Sequence, residues 1–440
     1  MRVFRGLLWA LAALLATLVA AFAWGRLRPP TPEQKTALAT LQVDHKPTQG
    51  RNAYPALWLV GFDVPPAQLD AAYAKDRQRI EAWQQSLDAS GHAPPMPRPG
   101  AGFAPLPQLS TDERKALCGI RDPDCLGKAR THNDALHALI AKHAKLLAHD
   151  KALAGFDYAW HDTPRDPLGL MPPYGPAMGL WQTDIALDFV DGHQAQALDG
   201  ACTQVATLRR LHAHSNTMVG TLVLAARLRG SVLLFAQILS EVPADMPLPA
   251  SCAVAFAPLA VSDIDLCPGT QSEFAWLASS ALPDAGERWY ERWRLSGPLT
   301  QRLLAPTYAA VCDAAVQKAL LADEVVSLKR PPPSFDIFDT IANRGGVALS
   351  RQPVVDFGGW LAIQQDTAAT LRMGALLIWL RENHGGHPSW PQQLAARPAW
   401  MRFGEDRAVS VTPDGHALTM KLRSNARHEW PTSWPLPTSP

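Results

Sequence analysis

The chain has 440 residues, 47% of them hydrophobic, which is enough to build one large core or two smaller ones and too apolar for a disordered chain. Lys and Arg total 41 against 40 for Asp and Glu, so no net field draws the protein to nucleic acid or to an acidic surface, and nucleic-acid binding is set aside. With 39 prolines and 29 glycines, long unbroken elements are few and ordered turns many.

The first element is the run from Gly6 to Trp24, which carries no charge and has Thr17 as its only polar side chain. At 1.5 Å per residue such a run spans roughly the 30 Å of a bilayer's hydrocarbon layer. Arg2 and Arg5 precede it, Arg26 and Arg28 follow it, and Trp9 and Trp24 stand near its ends, where indoles favour the interface. The pattern predicts a cytoplasmic arm (1–5), an uncleaved transmembrane anchor (6–24) and export of everything beyond it. That places the protein in a bacterial inner membrane with its bulk in the periplasm. Ala21-Phe22-Ala23 also fits the small-x-small pattern before a signal-peptidase site, so a cleaved signal is the competing reading.

Residues 25–50 are polar and proline-bearing and read as a tether. The body then begins at Tyr54, followed by a helical pattern from Pro66 to Ala89 and a proline-rich loop to Pro107. Ser110 and Glu113 form an S-x-x-E capping box, and Thr131 with Asp134 a looser version opening a helix toward Leu153. Two long apolar patterns follow, Gln194 to Leu211 and Met218 to Glu241. The second is interrupted by Arg227 and Arg229, charges that are costly in a bilayer centre, so it reads as a buried core helix. Further helices are expected at Glu273 to Ser280, Glu287 to Arg294 and Leu299 to Ala322.

The last hundred residues change character. Asp366 to Glu382 predicts an apolar helix stopping at Gly385-Gly386. Ser389 and Gln392 then form a further capping box with Pro391 in the first turn. Alternation in Val409 to Thr412 and Ala417 to Leu422, across Pro413-Asp414-Gly415, is a β-hairpin signature. The predicted fold class is therefore mainly α: an irregular helical body (51–330), a small C-terminal α+β module of helix plus hairpin (331–427) and a flexible tail (428–440). The segment LRMGALLIWLRENHGGHPSWPQQL resembles the helix-and-turn region of type II secretion pseudopilins. His387 stands where an aromatic precedes the proline in that family, and the N-terminus lacks its peptidase site and assembly helix, so filament assembly is not implied. With NAYPALWLVGFDVP near the start, the whole chain also resembles a set of uncharacterised single-anchor envelope proteins of proteobacteria, a resemblance that implies location and no activity.

Six cysteines in an exported chain permit disulfides. Cys118 and Cys125 flank the turn-forming GIRDPD and are the first candidate pair, with Cys252 and Cys267 the second. Cys202 and Cys312 fall in helical patterns and read as buried thiols. No C-x-x-C occurs. Among the 14 histidines, His132 and His143 stand about 16 Å apart along a helix. His137, His143 and His149 rotate off any common face, which leaves His384, His387 and Glu382 as the weak metal candidates.

Ser334 to Thr340, SFDIFDT, is similar to the first motif of haloacid dehalogenase-type phosphohydrolases. Asp336 there follows three prolines instead of a buried strand, and the alternative is an ordered loop with Phe335 and Phe338 packed inward. Serine hydrolases need no fixed motif, so Ser215 beside His212 and His214 is a formal candidate, but local adjacency alone does not make a triad. No catalytic residue and no cofactor is therefore assigned. The function expected is a membrane-anchored periplasmic protein that binds or supports an envelope protein, in one version an immunity protein or inhibitor. The alternative is an exported hydrolase with a site assembled only by the fold. Oligomeric state does not follow from the sequence.

Overall fold

The computed structural model describes residues 2–43, 45–86, 95–100, 102–162, 171–278, 294–328, 335–351, 357–383, 389–424 and 430–437. Within them the chain is mainly helical. The helices are α1 (Arg2–Leu27), α2 (Pro32–Leu41), α3 (Tyr54–Trp58), α4 (Leu69–Gln85), α5 (Thr111–Ala116), α6 (Cys125–Thr131), α7 (Asn133–Lys142), α8 (Ala144–Lys151), α9 (Leu180–Val190) and α10 (Gln194–Ala213). They continue as α11 (Met218–Glu241), α12 (Ala250–Ala255), α13 (Cys267–Trp276), α14 (Gly297–Ala309), α15 (Ala314–Leu321), α16 (Ile337–Ala342), α17 (Arg344–Arg351), α18 (Phe357–Asn383) and α19 (Trp390–Ala396). A small antiparallel sheet follows, β1 (Val409–Val411), β2 (Ala417–Met420) and β3 (Ser433–Pro435), in that order.

The main core is organised around α11, which packs on α9, α10 and α18. Its most apolar window is 83% buried, and its two arginines are answered inside the protein. Arg227 pairs with Asp150 of α8. Arg229 lies 4.1 Å from the Trp430 ring centroid; burial lowers it to about 10, against the nearby charge of Asp366, so it remains a cation at neutral pH. Asp366 belongs to a second buried group. Arg407, 1% exposed, meets Asp366 at 2.9 Å and Asp323 at 3.3 Å, and Asp366 also accepts from the backbone of Arg423 and Ser424 at 2.9 and 2.8 Å. This group ties α18 to the sheet and to the turn after α15.

In the sheet, Val409 faces Met420 and Leu418 faces Trp434. Leu418, Met420 and Trp434 point into the main core, which also takes in α18. The hairpin turns at Gly415, whose φ of 78° suits glycine. The tail after Arg427, expected to be flexible, instead supplies β3: Trp434 has apolar surface to bury, and the free edge of β2 has backbone groups to pair.

A second core joins α2, α13, α14 and the start of α18, with Leu41, Phe274, Tyr308 and Phe357 inside. The tether expected over 25–50 is thus corrected in its middle. Thr31 and Gln34 form a reciprocal cap at the start of α2, and Ala37 and Leu41 give that helix an apolar face that packs on α14. A third, smaller cluster surrounds Tyr54, Trp58 and Tyr73 on α3 and α4.

Some local expectations shift. The helix predicted from Thr131 to Leu153 is divided at His132 and His143, which take non-helical backbone angles, and Thr131 Oγ1 donates to the Gly127 carbonyl instead of capping. Asp313 starts a new helix inside the span 299–322. The last long helix begins at Phe357, earlier than Asp366. The box at Ser110 and Glu113 forms, whereas Ser389 makes no side-chain cap. The turn at Gly385-Gly386 and residues 287–293 lie outside the described residues.

Three disulfides staple the helices. Cys118 pairs with Cys125, as the turn between them predicts. Cys252 does not pair with Cys267, however. Cys252 bonds Cys202 of α10, and Cys267 bonds Cys312, so Cys202 and Cys312 are not free thiols. The reason is packing: α12 lies on α10 and the start of α13 lies near the end of α14, placing each cysteine beside a partner in the neighbouring element.

Candidate functional site

An open cleft of about 910 Å³ lies between α2, α13 and the segment Trp160–Asp162. One wall is the C-terminal half of α2, with Leu38 and Leu41, continuing through Gln42, Val43, His45 and Lys46. The opposite wall is α13, with Pro268, Gln271, Ser272 and Phe274. The two walls are tied together where Gln271 Nε2 donates to the Thr40 carbonyl at 2.8 Å. The Cys267–Cys312 disulfide fixes the first residue of α13 to the segment that ends α14.

The floor is held by two asparagines. Asn52 donates to the Trp160 carbonyl at 2.8 Å and accepts from the Trp160 amide at 2.9 Å. Asn216 does the same for His161, at 2.9 and 2.6 Å. Each side-chain amide thereby mimics a β-ladder partner, which holds a segment with no strand of its own in an extended shape. The His161 imidazole stacks on Tyr54 with ring centroids 4.7 Å apart and 9° between planes. At the mouth, Lys46 Nζ lies 2.5 Å from Asp162 Oδ1.

The cleft thus sets apolar faces (Leu38, Leu41, Trp160, Phe274) beside amides (Gln42, Gln271, Gln301) and a paired charge. That combination suits holding a ligand or chain segment with both apolar and polar parts. Among the described residues it shows no hydrogen bond between a nucleophile and a base. Ser272 is the one hydroxyl among the described lining residues, and Asp162, the one carboxylate there, is paired to Lys46, whereas two-carboxylate hydrolysis requires a second acid across the bond to be cut.

The residues singled out by sequence fall elsewhere. Asp336 caps α16, accepting from the Asp339 amide at 3.0 Å, while Asp339 accepts from the Asp336 amide at 3.1 Å. Arg28 bonds both carboxylates, so the phosphohydrolase-like motif serves as a helix cap and an ion pair. Phe335 and Phe338 are half-buried, and Arg351 lies over the Phe335 ring. Ser215 is buried, and its Oγ bonds neither His212 nor His214. His212 is buried beside Gln364, with no hydrogen-bond partner on either ring nitrogen. Burial lowers it to about 4 against the nearby charge of Asp263, so it is neutral at physiological pH.

His137, His143 and His149 go to three separate acceptors, Asp191 and the carbonyls of Pro107 and Val60. Glu382 is exposed near the end of α18, while His384 and His387 lie outside the described residues. No group of three or more His, Cys, Asp or Glu among the described residues is placed to hold a metal ion. Sequence reasoning missed the cleft, because its walls and floor come from segments more than 100 residues apart. The adjacent Trp160-His161-Asp162 was the only local signal. Comparison with protein-family models, curated proteins and solved structures found no match for the chain.

Proposed function

We propose that this is a single-pass protein of the bacterial inner membrane, with all residues after α1 in the periplasm, and that it acts by binding an envelope component in the cleft, without chemistry. The observation that carries the reading is α1. The most apolar 18 residues within Val3–Leu27, with a mean hydropathy of 2.2, have none of their number buried, although the same chain buries most of the comparable stretch of α11. A helix of that kind beside a well-covered core has a bilayer as its natural solvent. The three disulfides support the orientation, because such bonds persist in oxidising compartments and are rare in the cytoplasm. Binding in preference to catalysis is supported by a cleft whose one carboxylate among the described lining residues is paired to Lys46, and whose histidine His161 is stacked on Tyr54.

The reading is tested by placing a photo-crosslinking residue at Gln42 and at Ser272, on opposite walls of the cleft, and irradiating whole cells. Both positions should yield the same adduct, and a third probe at Val254 on α12 should not. Purified protein that hydrolyses an envelope polymer, together with no adduct at either wall, would replace this reading with the exported hydrolase.

A further inference from the structure

The end of α1 is a rigid joint. A Cβ added at Gly25 would stand 2.5 Å from the Phe338 carbonyl oxygen and 2.7 Å from the Ala342 methyl, an approach that only glycine allows. Three residues on, the Arg28 guanidinium bonds Asp336 and Asp339 at the start of α16. The Arg28 carbonyl accepts from Arg302 of α14 at 3.0 Å. Since α16 packs on α17 and α17 on α14, the direction of α1 is set by the body and not by a free linker.

This joint fixes the depth of one more side chain. Ile337, the first residue of α16, adjoins the Asp336 that binds Arg28 and is 68% exposed. On α1, Trp24 and Leu27 flank Gly25 and are 60% and 82% exposed. Trp24 and Leu27 are about 4.5 Å apart along the axis, within one helical turn. Trp24 and Leu27 therefore sit where the apolar run gives way to polar chain, and the bond from Arg28 to Asp336 ties Ile337 to that same end of α1. A lone exposed isoleucine needs no explanation, but one tied through Asp336 and Arg28 to the end of an apolar run does.

We propose that α16 is a second membrane contact: Trp24, Leu27 and Ile337 enter the headgroup layer of the same bilayer that α1 crosses, so that the body sits on the membrane in one fixed attitude. The proposal rests on the anchor reading above. Apolar side chains transferred from water to the interface supply the attraction, and the joint at Gly25 and Arg28 supplies the geometry.

The test uses the full chain in nanodiscs of phosphatidylethanolamine and phosphatidylglycerol. All six native cysteines are in disulfides, so Ile337→Cys offers a single thiol for an environment-sensitive dye, with Val254→Cys as the control. The dye at 337 should emit at shorter wavelength and lose intensity when lipids carry a spin label near the headgroup, and the dye at 254 should do neither. Adding Gly25→Val should abolish the quenching at 337 while the protein stays in the disc. Intact mass reports whether α1 is retained. With α1 retained, an unquenched dye at 337 overturns the proposal and leaves the anchor standing, as does quenching that Gly25→Val does not change. A mass showing a chain that starts after the apolar run overturns both.

Discussion

Arg227 Nη2 lies 2.6 and 2.8 Å from the two carboxylate oxygens of Asp150, with both side chains buried. The pair joins the middle of α11 to α8 and makes a helix apolar enough to cross a membrane into one that a folded body contains. Removing one partner leaves the other charge buried and unanswered. Asp150→Ala should therefore destabilise the protein by about 3–5 kcal/mol, while Asp150→Leu combined with Arg227→Met should cost far less, because the desolvation of both charges is removed together. Urea unfolding of the two variants in the same detergent checks the contrast, and equal losses would mean that the pair is not the source.

The disulfides should differ in their effect. A loop closed over 50 residues, as between Cys202 and Cys252, removes more unfolded-chain entropy than one closed over 7, as between Cys118 and Cys125. Chain-entropy arithmetic gives about 4 kcal/mol for the longer loop and about 2.5 kcal/mol for the shorter. Paired Cys→Ala variants at each bridge should lower the unfolding midpoint in that order. Cys252→Ala alone should leave Cys202 reactive to a thiol probe in denaturant and Cys267 unreactive, whereas a Cys252–Cys267 bond would leave Cys267 reactive.

His212 gives a pH dependence whose sign is fixed. Its folded value of about 4 lies below the ordinary 6.5, so between those values the unfolded chain takes up a proton that the folded chain refuses. Stability from this residue is complete above pH ~6.5 and declines as the pH falls toward ~4, by about 3 kcal/mol in all. His212→Gln should flatten that decline. The measurement is the urea midpoint of both proteins near neutrality and at about pH 5, where roughly 2 kcal/mol of the difference is expressed. Parallel curves for the two proteins would show that His212 is not the group responsible.

What the chain disclosed on its own was local. The unburied apolar run, the helices from Gln194 and from Met218, the cap at Ser110 and Glu113, the Cys118–Cys125 turn and the hairpin across Gly415 were all legible. Each is encoded within a helical turn or a tight loop, by periodicity, capping chemistry or a glycine able to take positive φ. Which cysteine Cys252 meets, why Asp336 faces Arg28, and that Asn52 and Asn216 hold the floor of a cleft were decided only by packing. These partners stand 50, 308 and, for each asparagine's clamp, 108 and 55 positions apart. No periodicity links residues at such separations. They meet because burying the apolar faces of α2, α10 and α11 brings their helices together, and polar groups carried inward with them must then find partners.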